Sequence, residues 1–270
     1  MHVAALATYP IKSCHRLDHE QIVVEACGFA GDRRWLIVDD TRRFLTQREH
    51  ASLARVHAHT TPDGLLLTAD EQPDLLVRLP EAAPRHDISV WEATVPASPA
   101  GTAAAAWLTA YLGRPAALYW LDDPTRRAVK PAFSQPGDRV SFADETPVTI
   151  ANAASMAALN AWVAGAPAPI TRFRPNIVLG DAAAWIEDSW PGRRLRVGAV
   201  TFRVAKPASR CPVVNIDQET GAQRGGVLKA LGTHRQVNGK FVFATHLIPE
   251  TPGTISVGDP IEVWENENSR

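Results

Sequence analysis

The chain has 270 residues, 45% of them hydrophobic and 21% charged, enough for one large core or two intimately packed ones. Its 28 Lys and Arg against 29 Asp and Glu leave a net charge of −1. That balance excludes the basic footprint of a generic nucleic-acid or polybasic membrane binder. Three cysteines, Cys14, Cys27 and Cys211, with no CxxC pair, exclude a disulfide framework and argue against a structural zinc or iron–sulfur site built by this chain alone.

The first residues carry no basic region ahead of a long apolar run, so no secretory signal is expected. The most apolar stretch, Ala103 to Leu112, is far short of the ~20 residues a membrane span requires. A reducing cytoplasm is the expected compartment.

Short strands dominate the first half. Gln21 to Ala26 holds the β-branched run Ile22-Val23-Val24, and Trp35 to Val38 is a second apolar run ending at Asp39-Asp40. Asp63-Gly64 between Ala54–Thr60 and Leu65–Ala69 predicts a hairpin, and Trp91 to Val95 predicts a further strand. A helix follows, with Ala103, Ala106, Trp107, Ala110 and Tyr111 on one face and Gly113 and Pro115 as stops. The aperiodic, Pro- and Asp-rich stretch from Asp122 to Asp138 marks the boundary between halves, or a long loop within one domain.

In the second half, Asn152 is placed to cap a helix bearing Met156, Leu159 and Val163. Arg196 to Val204 alternates as a half-buried strand, and Asn238-Gly239 predicts a hairpin between Thr233–Val237 and Lys240–Thr245. Ile255–Val257 and Ile261–Trp264 complete the β pattern. The whole predicts a β-rich α+β fold, barrel-like, with a few helices.

The segment richest in chemistry is Lys206-Pro207-Ala208-Ser209-Arg210-Cys211-Pro212. A cysteine beside a guanidinium in a Pro-bracketed loop is a setting that favours the thiolate, the form that attacks carbon or binds metal. An isolated cysteine is also commonly a small buried apolar residue. Four further clusters place cations and hydrogen-bonding groups at strand ends, where anionic ligands are gripped. They are Tyr9-Pro10-Ile11-Lys12-Ser13, Asp32-Arg33-Arg34-Trp35, Thr46-Gln47-Arg48-Glu49 and Arg172-Phe173-Arg174-Pro175-Asn176. Each taken alone also reads as a solvated rim. No GxGxxG, P-loop, GxSxG or HExxH motif is present. His57 and His59 read as one solvent-facing side of a strand, and Asp217 to Gly221 as a turn.

Taken in order, these clusters resemble the MOSC family with its N-terminal β-barrel partner domain, the group of the amidoxime-reducing components and bacterial YcbX-type proteins. The resemblance adds Gly31, Glu187-Asp188-Ser189-Trp190, Pro252-Gly253-Thr254-Ile255 and Val257-Gly258-Asp259 to the segments above, and covers nearly the whole chain. It implies an N-terminal β-barrel domain over 1–121 packed against a MOSC β-barrel domain over 122–270.

The resemblance implies a molybdenum cofactor, a molybdopterin, with Cys211 as the protein's thiolate ligand to the metal and Arg210 beside it as a second catalytic candidate. It casts Lys12, Ser13, Arg33, Arg174 and Ser209 as the grip on the anionic pterin. Thr46, Arg48, Asn152, Ser155 and Asn176 become further candidates for lining that cleft, which should lie between the halves. At family level it also carries pyridoxal phosphate binding and a role in detoxification. The implied activity is reduction of small N-hydroxylated compounds such as amidoximes, hydroxylamines and N-hydroxylated bases.

With no cysteine after Cys211, electrons are expected from a separate flavin, cytochrome b5-type or ferredoxin-type protein, without nucleic acid or membrane as partners. Ala208, Pro212 and Arg34 depart from the family pattern and leave the substrate open. Two other readings stand beside the reductase. One is a cofactor carrier or sulfur-transfer protein using Cys211. The other is a cysteine-nucleophile hydrolase with His234 or His246 as base.

Overall fold

A computed structural model describes residues 1–80 and 84–264. The last six residues of the expected second domain therefore lie outside the described residues. The fold is a β-rich α+β structure, as the strand pattern predicts.

Its largest sheet has nine strands. Along its main path run Ile261–Trp264, Arg194–Val197, Val200–Ser209, Lys240–Pro249, Val148–Asn152, Ile177–Gly180, His2–Thr8 and Leu17–His19, while Gln236–Val237 pairs off that path with Lys240–Pro249. Only the contact between Val148–Asn152 and Ile177–Gly180 is parallel among these. A four-stranded sheet of Trp35–Val38, Ala117–Trp120, Ala93–Pro99 and His86–Val90 forms the body of the first half. Beside it lies the three-stranded sheet His57–Thr61, Gly64–Thr68 and Leu75–Arg78.

The two halves exchange strands. His2–Thr8 pairs with Ile177–Gly180, and Gly253–Ser256 pairs with Gln21–Glu25. The apolar residues follow: Val3, Leu6, Val24 and Phe29 are buried in one cluster with Ile150, Leu195, Phe202 and Leu247. A separate core under the first half joins Ile11, Trp35, Leu53 and Leu65 to Trp107 and Leu108. Burying these side chains at about 25 cal/mol per Å² supplies the main stabilisation of both.

Among the described residues three α-helices cover the strands: α1 (Thr102–Leu112), α2 (Ala153–Asn160) and α3 (Val227–His234). The first ends at Gly113 with φ +65°, a glycine C-cap placed where the sequence predicts a stop. Asn152 caps α2 by accepting from the Ala154 N–H at 2.9 Å, but the helix ends before Val163. The predicted strand at Thr233 is instead the end of α3. That helix carries Gly232 in its interior, where an added Cβ would meet the Phe241 ring at 3.2 Å. Trp91, expected at the start of a strand, occupies a hairpin tip. Among the described residues no helix is long and apolar enough to cross a membrane.

Candidate functional site

Strand ends and loops from both halves converge on one cleft of about 340 Å³. Lys12 and Ser13 reach it just after His2–Thr8, and Arg33 just before Trp35–Val38. Arg174 and Asn176 precede Ile177–Gly180, and Ser209, Arg210 and Cys211 stand at the end of Val200–Ser209. Seven Lys and Arg side chains line it against three carboxylates. A cleft so lined attracts anions.

The cations are held on rigid supports. Arg33 pairs with the buried Asp32 at 2.5 Å, and its Nη2 donates to the Arg174 carbonyl at 3.4 Å. Arg174 donates to Gln218 Oε1 at 2.9 Å, and Arg210 to the carbonyls of Phe243 and Phe173 at 2.8 and 3.1 Å. Lys12 donates to the Phe142 carbonyl at 2.8 Å and pairs with Asp144. Gln47 and Gln218, both buried, exchange amide hydrogen bonds at 3.0 and 2.9 Å across the two halves.

This arrangement is costly unless something fills it. Burial lowers Arg174 and Arg210 to about 10, and lowers Lys12 to about 8 despite the opposing pull of Asp144. The Nη2 atoms of Arg174 and Arg210 and the Nε of Arg172 are buried without a partner. Ser13, Arg33 and Arg174 hold left-handed backbone at φ 69°, 48° and 52°, where side chains other than glycine are strained. Unpaired donors and strained backbone gathered in one cleft mark a ligand site.

Among the three cysteines the cleft is lined by Cys211 alone. Burial pushes Cys14 up to about 12 and Cys27 up to about 11, so both are inert thiols. Cys211 is half-buried, at the head of the short 3₁₀ turn Pro212–Asn215.

Comparison with known proteins places the chain in a family. The family model for the MOSC N-terminal beta barrel domain matches residues 1–115, and that for the MOSC domain matches residues 137–262. Mitochondrial amidoxime-reducing component 1 of Homo sapiens is 30% identical over 279 residues, covering 96% of this chain and 82% of the human one. The chain belongs to the MOSC family. Mitochondrial amidoxime reducing component 2 of Bos taurus is 28% identical, with 96% of this chain and 82% of the bovine one covered. Molybdenum cofactor sulfurase of Drosophila willistoni is 26% identical over 90% of this chain and 30% of its own length.

Of the residues singled out in this MOSC protein's sequence, Lys12, Ser13, Arg33, Thr46, Arg48, Arg174, Asn176, Ser209, Arg210 and Cys211 all line the cleft. Asn152 and Ser155 do not. Asn152 is spent on capping α2 and donating to Ala183 O and Glu187 Oε2 at 2.8 and 2.9 Å. Ser155 is fully buried and accepts from the Trp185 N–H at 2.7 Å. Both lock the α2 end to the loop after Ile177–Gly180.

The hydrolase reading loses its base. His234 stacks on Trp162, 4.4 Å away, and does not line the cleft. His246 does line it, yet its Nε2 lies 3.1 Å from Glu145 and its Nδ1 2.8 Å from the Thr146 hydroxyl. Both ring nitrogens are engaged, leaving none for a thiol.

The cleft also holds residues that sequence reasoning passed over, among them Trp91, Asp144, Glu145 and Thr146. Tyr9 and Gln47 stood inside quoted clusters without a role. The signal for Asp144 was one available pairing with a buried Lys12, which no local pattern encodes.

Proposed function

We propose that this protein is a molybdenum-cofactor-dependent reductase of N-hydroxylated compounds. The observation that carries the reading is a single accessible thiol in the same cleft as buried guanidinium donors that have no partner. That donor set fits a cofactor with a thiolate-binding metal at one end and anionic groups elsewhere. Similarity to amidoxime-reducing components over 96% of the chain supports the choice of substrate class.

In this reading Cys211 supplies the protein's sulfur ligand. Lys12, Arg33 and Arg174 hold the anionic pterin, with Ser13, Ser209 and Asn176 adding hydrogen bonds and Thr46 and Arg48 lining the approach. Arg210, tied to the Phe173 and Phe243 carbonyls, fixes the strand end that carries Cys211. Val213 and Val214 give the cleft its apolar wall. When bound, the molybdenum cofactor supplies the two-electron chemistry of N–O cleavage. For an amidoxime the balance is one substrate, two electrons and two protons to one amidine and one water. In this reading the electrons come from a separate redox protein.

A second reading, cofactor carrier or sulfur transfer through Cys211, is favoured by the partial exposure of that thiol and by the sulfurase relative. Turnover separates the two. Holoprotein supplied with reduced methyl viologen should oxidise the dye only when benzamidoxime is added, and form benzamidine. A cofactor-loaded protein that leaves benzamidoxime untouched contradicts the reductase.

A further inference from the structure

The lining of the cleft includes an aromatic ring that neither the thiol nor the cationic grip requires. Trp91 opens the two-residue loop Trp91-Glu92 between His86–Val90 and Ala93–Pro99, where Ala93 pairs with Val90. Its φ is +56°, in the left-handed region that glycine normally fills and a bulky side chain resists. A large apolar residue in a strained turn is ordinarily compensated by burial. Trp91 is instead 38% exposed, and it lines the cleft.

The ring is fixed in place on several sides. Its Nε1 donates to Asp144 Oδ1 at 2.9 Å, and Phe44 meets it edge-on with centroids 4.9 Å apart. The guanidinium of Arg48 lies 4.7 Å from the indole centroid, and Arg48 is itself exposed and part of the cleft lining. Glu92 and Lys130, also in the lining, pair with each other at 3.0 Å. The result is a partly exposed indole, held in place, with a guanidinium over it, in the lining of a thiol-bearing cleft. Indole and guanidinium planes bind other flat conjugated groups by stacking, with little regard to their hydrogen-bonding edges.

We propose that Trp91 and Arg48 form a stacking platform that selects flat, π-conjugated N-hydroxylated substrates over aliphatic ones. Aromatic amidoximes and N-hydroxylated heterocyclic bases are the class it fits. This inference rests on the reductase reading for the identity of the reacting group, while the stacking itself is a property of the apo surface. Trp91 acts in specificity and touches the body of the substrate away from the N–O bond.

The test is calorimetric binding of benzamidoxime and acetamidoxime to holoprotein with no reductant present, followed by turnover of both. Wild-type protein is expected to bind benzamidoxime about tenfold more tightly than acetamidoxime. Trp91→Leu should remove most of that preference, in binding and in the ratio of kcat/KM values. Trp91→Phe, which keeps a ring, should retain most of it and separates lost stacking from a misfolded hairpin. A preference unchanged in Trp91→Leu overturns the platform. A preference that Trp91→Leu abolishes, in a protein that reduces neither compound, sustains the platform and overturns the reductase reading.

Discussion

The guanidinium of Arg174 lies 4.1 Å from the centroid of the Tyr9 ring, so a residue of the second half rests on one of the first. Arg33 lies over the same ring at 4.4 Å. Two like charges are thereby held near each other by an aromatic quadrupole, with the buried Asp32 carboxylate pairing Arg33 beside it. Tyr9 is itself locked, its hydroxyl donating to the Pro175 carbonyl at 3.0 Å and its N–H to Asp32 at 2.7 Å. Burial accordingly pushes the phenol up to about 12, so it stays protonated.

Replacing this ring should loosen both arginines. Tyr9→Leu is expected to lower stability by about 2–4 kcal/mol and to release cofactor, since two desolvated cation–π contacts go with it. Tyr9→Phe keeps the ring and loses one buried hydrogen bond, costing about 1 kcal/mol. Urea unfolding of the two variants, with pterin content measured on the same samples, checks both figures.

The Gln47–Gln218 amide pair makes a different prediction. Gln47→Leu removes both amide–amide bonds and the donor to the Ser13 carbonyl, leaving Gln218 only Arg174 and the Ile216 carbonyl, so it should cost about 1–3 kcal/mol. The Gln47→Leu/Gln218→Leu double variant should cost less than the two single changes combined, because the shared amide–amide bonds are lost only once, while the loss of the Arg174 acceptor belongs to Gln218→Leu alone. A double-mutant cycle in urea reads the coupling directly, and strict additivity would contradict a joined pair.

Much of the site was legible from the chain. Lys12, Arg33, Arg174 and Cys211 stand in short segments where charge, proline and strand ends coincide, and the cleft gathers them. The helix stop at Gly113 and the strands Trp35–Val38 and Ile261–Trp264 follow from local pattern alone. Local pattern places Asn152 correctly as the cap of α2; only the family resemblance puts it and Ser155 in the cleft, and here Asn152 caps the helix while Ser155 accepts from the Trp185 N–H. Trp91 misled because β propensity favours an aromatic in a strand, whereas the pairing of Val90 with Ala93 forces it into the turn. Long-range partners such as Lys12 with Asp144, 132 positions apart, have no local signature at all.

Lys12 gives the cleft a pH dependence. Burial lowers its folded value to about 8 from an ordinary 10.5, with Asp144 resisting the shift. The charged form that grips an anion is therefore present below about 8 and is lost as pH rises through that value. Folding has the opposite slope in the apoprotein. There the cost of burying the charged lysine is relieved between pH 8 and 10.5. Pyrophosphate affinity of apoprotein should fall between pH 7 and 9.5, and Lys12→Arg should flatten that fall. A wild-type profile as flat as the variant's would contradict the assignment.

The central claim is that Cys211 holds a molybdenum cofactor in this cleft, and metal analysis of freshly purified protein tests it most directly. Protein made in a host that synthesises the cofactor should carry about one molybdenum per chain, with pterin fluorescence after oxidation. Cys211→Ala should lose the metal while keeping its fold, and Cys14→Ala should keep it. Wild-type protein with neither molybdenum nor pterin, or a Cys211→Ala variant as fully loaded as wild type, would contradict the account.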